Sequence, residues 1–220
     1  MNGIIIVDKP SGISSFDVVR KVRHKFKIKK VGHCGTLDPL ATGLLVILLG
    51  SDTKLFNRFS GFDKAYLATL ELGVSTTTGD CQGDVLKKND IARISAQNLE
   101  NVFKEFNGDI EQVPPMFSAL KYKGRKLYEW AREGIEVPRQ KRRVKIHDLK
   151  INKFNFPYVD FYISCSKGTY VRSLAQDIGD KLGCGACLTS LRRIALGPFN
   201  IDEAVTIDKL DESHIRHWPS

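Results

Sequence analysis

The sequence has little with which to cross or enter a membrane. In its 220 residues the longest apolar run is Leu44–Leu49, far short of the ~20 residues that span a bilayer. The opening, MNGIIIVDKPSG, carries no basic stretch ahead of its apolar residues, so it lacks the form of a secretory leader. Cysteine is sparse and odd in number (Cys34, Cys81, Cys165, Cys184 and Cys187), with no regular spacing. That argues against a disulfide framework and for free thiols in a reducing cytoplasm. No GxGxxG and no Walker phosphate loop occur, so dinucleotide redox chemistry and nucleotide hydrolysis have no support. There is no internal repeat and no low-complexity tract. With 42% hydrophobic and 27% charged residues, the composition is that of an ordinary globular protein. The length suits one domain, or one domain with a large insertion.

One absence is local. Residues 20–30 (RKVRHKFKIKK) contain seven Lys and Arg and no acid, and residues 121–153 contain twelve bases against four acids. The whole chain is +9, yet the 176 residues outside these two segments are net −6. Two basic segments on a mildly acidic protein point to a polyanion surface, nucleic acid first, with solvated faces as the alternative.

Along the chain, Ile4–Val7 reads as a strand ending in the turn Asp8-Lys9-Pro10-Ser11-Gly12. Ser14 or Ser15 caps a helix whose apolar positions Val18, Val22 and Phe26 recur every four residues. Gly32–Gly43 reads as a loop, Leu44–Leu49 as a buried strand, and 52–59 as a short helix. In Lys64–Leu72, the residues Tyr66, Ala68, Leu70 and Leu72 alternate onto one face of a strand. Gly73–Asp84 is a polar loop. Ser95 caps a helix carrying Leu99, Val102, Phe103 and Phe106, which ends at Asn107-Gly108. From Val113-Pro114-Pro115 the chain becomes basic, with Tyr122, Tyr128 and Trp130 interleaved and a short helix around 126–132. That stretch reads as an insertion or arm. Strands near 144–154 and 158–165 follow, then a helix over 170–182 with an apolar stripe and a last strand over 188–195. Strands and helices without strict alternation give an α+β class.

Three positions stand out chemically. In GHCGTLDPLATGLL, Asp38 precedes Pro39, which disfavours helix and holds Asp38 extended. His33 and Asp38 are then displayed from a glycine-bounded loop, unless this is a plain Asp-Pro turn. Thr169 is the natural N-cap of the late helix and puts Arg172 in its first turn, where a cation opposes the helix dipole. A buried carboxylate partner would explain it; the alternative is a surface arginine. Tyr66 is by default a core aromatic and Lys9 by default faces solvent. Cys184-x-x-Cys187 with His214-x-x-His217 has paired zinc-type ligands. The intervening gap is long and the histidines are one residue too close, so no metal is expected.

These residues resemble a known family. GHCGTLDPLATGLL, VDKPSGISSFDVVRKVR, DKAYLATLELG, VPPMFSALKYKGRKLYEWAREGIEVP and CSKGTYVRSLAQDIGDKLGCGACLTSLRR are together similar to the TruB family of tRNA pseudouridine synthases. They match in order from residue 3 to about 199. The resemblance implies the pseudouridine synthase fold, an α+β domain around a central mixed sheet, and isomerisation of uridine 55 in the T-loop of tRNA. It implies Asp38 as nucleophile, Tyr66 stacking on the flipped base and Arg172 paired with the aspartate. It further implies His33 filling the place the base vacates, Leu191 lining the pocket, and Lys9 in a supporting role. The basic insertion, about 114–145, is expected to hold the T-arm through Lys121, Lys123, Arg125, Lys126, Arg139, Lys141, Arg142 and Arg143. The catalytic domain is expected over 1–205 and a short tail over 206–220, too short for the PUA-type RNA-binding domain that many relatives carry. Neither cofactor nor metal is implied, and the expected state is a cytoplasmic monomer.

Two other classes fit parts of the pattern. A tRNA-folding factor would use only the basic segments. A carboxylate glycoside hydrolase would need a second acid about 5–9 Å from the first, and no motif supplies one.

Overall fold

Apolar patterning shapes the chain into the following elements in the computed structural model, which describes residues 1–218. In order they are β1 (Gly3–Lys9), α1 (Ser15–Phe26), β2 (Val31–Cys34), β3 (Thr42–Leu49), α2 (Phe56–Ser60) and β4 (Lys64–Leu72). Next come β5 (Val74–Thr76), β6 (Val85–Lys88), α3 (Ala96–Glu105), β7 (Gly108–Gln112), β8 (Lys121–Tyr122), β9 (Arg125–Lys126) and α4 (Leu127–Arg132). The chain then forms β10 (Arg142–Asn155), β11 (Tyr158–Cys165), α5 (Val171–Lys181), β12 (Ala186–Leu196), β13 (Phe199–Asn200) and β14 (Val205–Thr206). The class is α+β, with mixed parallel and antiparallel pairing. Two compact units result, residues 1–67 with 190–220 and residues 68–189, and their boundaries fall inside β4 and β12.

In the first unit β3 is central. It runs antiparallel to β1 from Gly3↔Leu49 to Lys9↔Gly43. On its other side it takes β2 at one end and β12, in parallel, at Arg192↔Thr42 and Arg193↔Gly43. A strand flanked on both edges and covered on both faces must be apolar throughout, which explains the unbroken run Leu44–Leu49, every residue of it buried. Ile4, Ile6, Leu44, Val46 and Leu48 form the core with Phe59, Leu196 and Phe199. Trp218 closes it edge-on at 5.2 Å from the Phe59 ring. Beyond Asn200 the chain stays on this unit: β14 pairs with β1 at Val7↔Val205, and Arg216 pairs with Ile4.

In the second unit the strand order is β12-β4-β11-β10-β7. β10 and β11 form a hairpin, and β7 pairs along β10 from Gln112↔Arg142 to Gly108↔Ile146. Helices α3 and α5 supply the apolar cover, with Phe103 edge-on to Phe161 at 5.7 Å. The basic insertion leaves between β7 and β10 as the small β8–β9 hairpin and α4.

Three sequence expectations need correction. Gly32–Cys34 is strand rather than loop, because its backbone pairs with Val46–Leu48 of β3. Val74–Thr76, expected within a polar loop, pairs with Val85–Lys88. Thr169 does not cap α5. Its hydroxyl bonds Ser166 O, and the N-cap is Tyr170, whose N–H goes to Gln112 Oε1 at 3.1 Å. Buried Gln112 of β7 instead holds the N-cap residue itself, also donating to Tyr170 O at 3.3 Å. Among the described residues, no helix is long and apolar enough to cross a membrane.

Candidate active site

The first unit builds a carboxylate loop out of the β2–β3 connection. Ser14 makes the capping box of α1 with Asp17, which leaves its neighbour Ser15 to turn inward. Ser15, 1% exposed, accepts the Leu37 N–H at 2.8 Å and donates to Leu37 O at 3.0 Å. The residue before Asp38 is thus held by both of its peptide groups. On the far side, Lys9 Nζ donates to Ala41 O at 2.6 Å, Pro10 O at 2.9 Å and Pro39 O at 3.5 Å. Asp38 O itself accepts the Ala41 N–H, closing a turn over Pro39. Buried donors on both sides of a short loop fix its backbone, and with it the point from which the Asp38 side chain projects.

Lys9 is therefore not solvent-facing but fully buried. The reason is tertiary: the Lys-Pro turn brings its ammonium under the carbonyls of Pro10, Pro39 and Ala41. Burial pushes its pKa down to about 8, and the Asp38 carboxylate pulls the other way.

Tyr66 lies on the buried face of β4, as its alternation predicts. Leu191 and Arg192 are half-buried on β12, and Arg192 grips Asp8 of β1 through two bonds of 3.0 and 2.8 Å. Next to it is Arg193, whose guanidinium is hydrogen-bonded to Tyr66. Its Nε donates to Leu44 O at 2.7 Å and its Nη2 to Gly35 O at 3.0 Å. Gly43 lets β12 come this close. A Cβ there would lie 2.3 Å from Arg193 O, and the residue's φ of +95° is strained for any L side chain.

His33, on β2, is held neutral. Burial, with the Arg193 charge adding to it, lowers its pKa to about 4, and its buried Nδ1 has no hydrogen-bond partner among the described residues. Between pH 6.5 and 4 the unfolded chain binds a proton that the folded chain does not, so stability falls on acidification through that window. At about 1.4 kcal/mol per unit the loss approaches roughly 3 kcal/mol. His33→Asn should remove this acid limb. Urea midpoints at pH 7 and pH 4.5 test it, and equal pH dependence in both proteins would contradict it.

In the second unit Arg172 is 5% exposed on the first turn of α5. It donates to Thr78 O at 2.7 Å and Phe117 O at 2.8 Å, and its Nε lies 3.7 Å from the buried carboxylate of Asp80. The sequence suggested a buried acid near Arg172, and Asp80 is one. Of the insertion's bases, Arg125 pairs with Glu133, while Arg139 pairs with Glu136 and donates to Pro114 O. Arg125 also stacks on Trp130 at 4.2 Å, and Lys126 lies over the Tyr128 ring. Lys121, Lys123, Lys141, Arg142 and Arg143 are exposed.

Sequence reasoning missed Ser15, Asp80 and Arg193. Two signals were available. Only one of two adjacent serines can cap α1, and a base two residues after Leu191 shares its face of an alternating strand. Among the described residues, no three His, Cys, Asp or Glu side chains gather as a metal site.

Comparison with known proteins identifies the family. Residues 23–171 match the TruB family pseudouridylate synthase N-terminal domain, and 172–217 match the tRNA pseudouridylate synthase B C-terminal domain. The tRNA pseudouridine synthase B of Clostridium tetani is 47% identical over 99% of this chain and 75% of its own length. That of Burkholderia pseudomallei is 49% identical over 96% of this chain and 70% of its own. In solved structures, a chain of a Cbf5-Nop10-Gar1 complex superposes with a TM-score of 0.75 at 31% identity over 94% of this chain. A chain of an H/ACA RNP bound to a substrate RNA containing 2′-deoxyuridine gives 0.71 at 27% identity. The protein spans about half the length of those two chains, 53% and 52%. On these matches the chain belongs to the TruB family of tRNA pseudouridine synthases.

Proposed function

We propose that the protein converts uridine 55 in the T-loop of tRNA to pseudouridine, with Asp38 as the nucleophile. The observation that carries this is the Asp38 loop, fixed by Ser15 on one side and Lys9 on the other. The reaction detaches uracil from C1′, turns it, and rejoins it through C5. It is an isomerisation with no net redox change and no energy input, so an ionised carboxylate suffices without a cofactor.

The uridine leaves its stack before it reacts, and an aromatic platform offsets part of that cost. Tyr66 takes this role, His33 fills the vacated place, and Leu191 lines the pocket. Arg172 is carried over from the resemblance as the partner that keeps Asp38 charged. The protein acts as a cytoplasmic monomer. The test is to map pseudouridine in an unmodified tRNA transcript after incubation with the purified protein. Product at the T-loop uridine alone is expected, and product elsewhere overturns the assignment.

The basic insertion grips the T-arm backbone. Each phosphate contact adds about 0.7–0.9 to the slope of log affinity against log salt. Changing Lys141, Arg142 and Arg143 together to Ala should lower that slope by about 2 to 3. An unchanged slope in filter-binding titrations would remove this segment from the interface.

A further inference from the structure

Arg193 is the largest fully buried side chain among the described residues. Burying a guanidinium is costly unless its donors are met. Its donors are met, and by a particular set of groups. Nε bonds Leu44 O at the start of the apolar run of β3, and Nη2 bonds Gly35 O at the start of the Asp38 loop. The same guanidinium bonds the Tyr66 side chain on β4. Since arginine has only donors, the Tyr66 hydroxyl oxygen accepts. The approach to the loop is tight: a Cβ on Gly35 would meet Arg193 Nη1 at 3.1 Å.

We propose that Arg193 is a positioning residue that locks the Tyr66 ring to the Asp38 loop, so that the base platform and the nucleophile move as one piece. This rests on the reading of Asp38 and Tyr66 given above. A planar, rigid fork can set the angle between three backbone and side-chain partners at once; a lysine ammonium, a point donor on a flexible stem, cannot. The group that the fork aligns is the reacting geometry itself, where a misplacement near 1 Å costs about 100-fold in rate. Ground-state binding of tRNA, spread over many phosphates, does not depend on it.

The test is a double-mutant cycle in single-turnover pseudouridine formation, with tRNA affinity and melting temperature measured alongside. The proteins are wild type, Arg193→Lys, Tyr66→Phe and the double variant. Tyr66→Phe keeps the stacking ring and deletes only the acceptor. Arg193→Lys should slow the chemical step about 100-fold with tRNA affinity within two-fold, and the double variant should be no slower than the worse single. Independent, multiplying losses would overturn the proposal, as would an Arg193→Lys protein as fast as wild type. If Arg193→Lys does not fold, Tyr66→Phe alone decides: a slower chemical step at unchanged affinity upholds the lock, and an unchanged rate refutes it. Failure of the underlying reading looks different, because wild type itself would then form no pseudouridine, or Asp38→Asn would still form it.

Discussion

Asp38→Asn should abolish pseudouridine formation, with turnover falling by about 10⁴-fold or more, the scale on which loss of a covalent nucleophile is felt. The amide is nearly isosteric with the carboxylate but carries no negative charge and cannot attack carbon. The backbone around it should not move, because its anchors do not involve the side chain: Ser15 holds Leu37, and Lys9 holds Pro39 and Ala41. Binding of tRNA should therefore stay within a few-fold of wild type. Lys9 gives an internal check. The Asp38 charge opposes the burial that holds the Lys9 pKa near 8, so removing that charge should lower it further. Asp38→Glu should also fail, since a methylene displaces the carboxylate by more than the roughly 1 Å that catalysis tolerates. Tritium release from uracil-labelled tRNA under single-turnover conditions reads the rate, and filter binding reads the affinity. Retained turnover in Asp38→Asn would remove Asp38 from the chemistry.

How far the site could be read in advance follows from how local each feature is. The buried run of β3, the alternation of β4 and the caps of α1 and α3 depend on near neighbours in sequence, and each is visible as a pattern. Asp38 is legible because Pro39 and the flanking glycines constrain it locally. Lys9 and Arg193 are not, since all their carbonyl acceptors except Pro10 O come from β3 and from the β2–β3 loop, far along the chain. A charged residue in a sequence carries no sign of whether acceptors will converge on it. Asp80 was hidden for a related reason. It sits in GVSTTTGDCQGD, whose composition reads as a solvated loop, yet it is 5% exposed beside Arg172.

Arg172→Met is the second large effect, and it is one of stability. The side chain serves three acceptors in its own unit, Thr78 O, Phe117 O and the Asp80 carboxylate. Removing it leaves a buried negative charge and two carbonyls short of donors. Asp80 keeps bonds from Thr78 Oγ1 at 2.7 Å and Gln82 N at 3.1 Å, so the low end of the 3–5 kcal/mol range for a broken buried pair applies. A loss of about 3 kcal/mol corresponds to roughly 6–12 °C for a chain of this size. Arg172→Met combined with Asp80→Asn should recover part of it, because the uncompensated charge is then gone. Arg172→Lys should fall between, since one ammonium cannot reach all three partners with the geometry of a fork. Phe117 lies near the start of the basic insertion, so freeing its carbonyl should loosen that segment before the rest of the unit melts. Limited trypsin digestion should then cut first among Lys121, Lys123 and Arg125, at a protease dose that leaves wild type whole. If Arg172→Met melts with wild type and resists trypsin equally, the Asp80–Arg172 pair contributes nothing to the fold, and any loss of turnover in that variant belongs to catalysis alone.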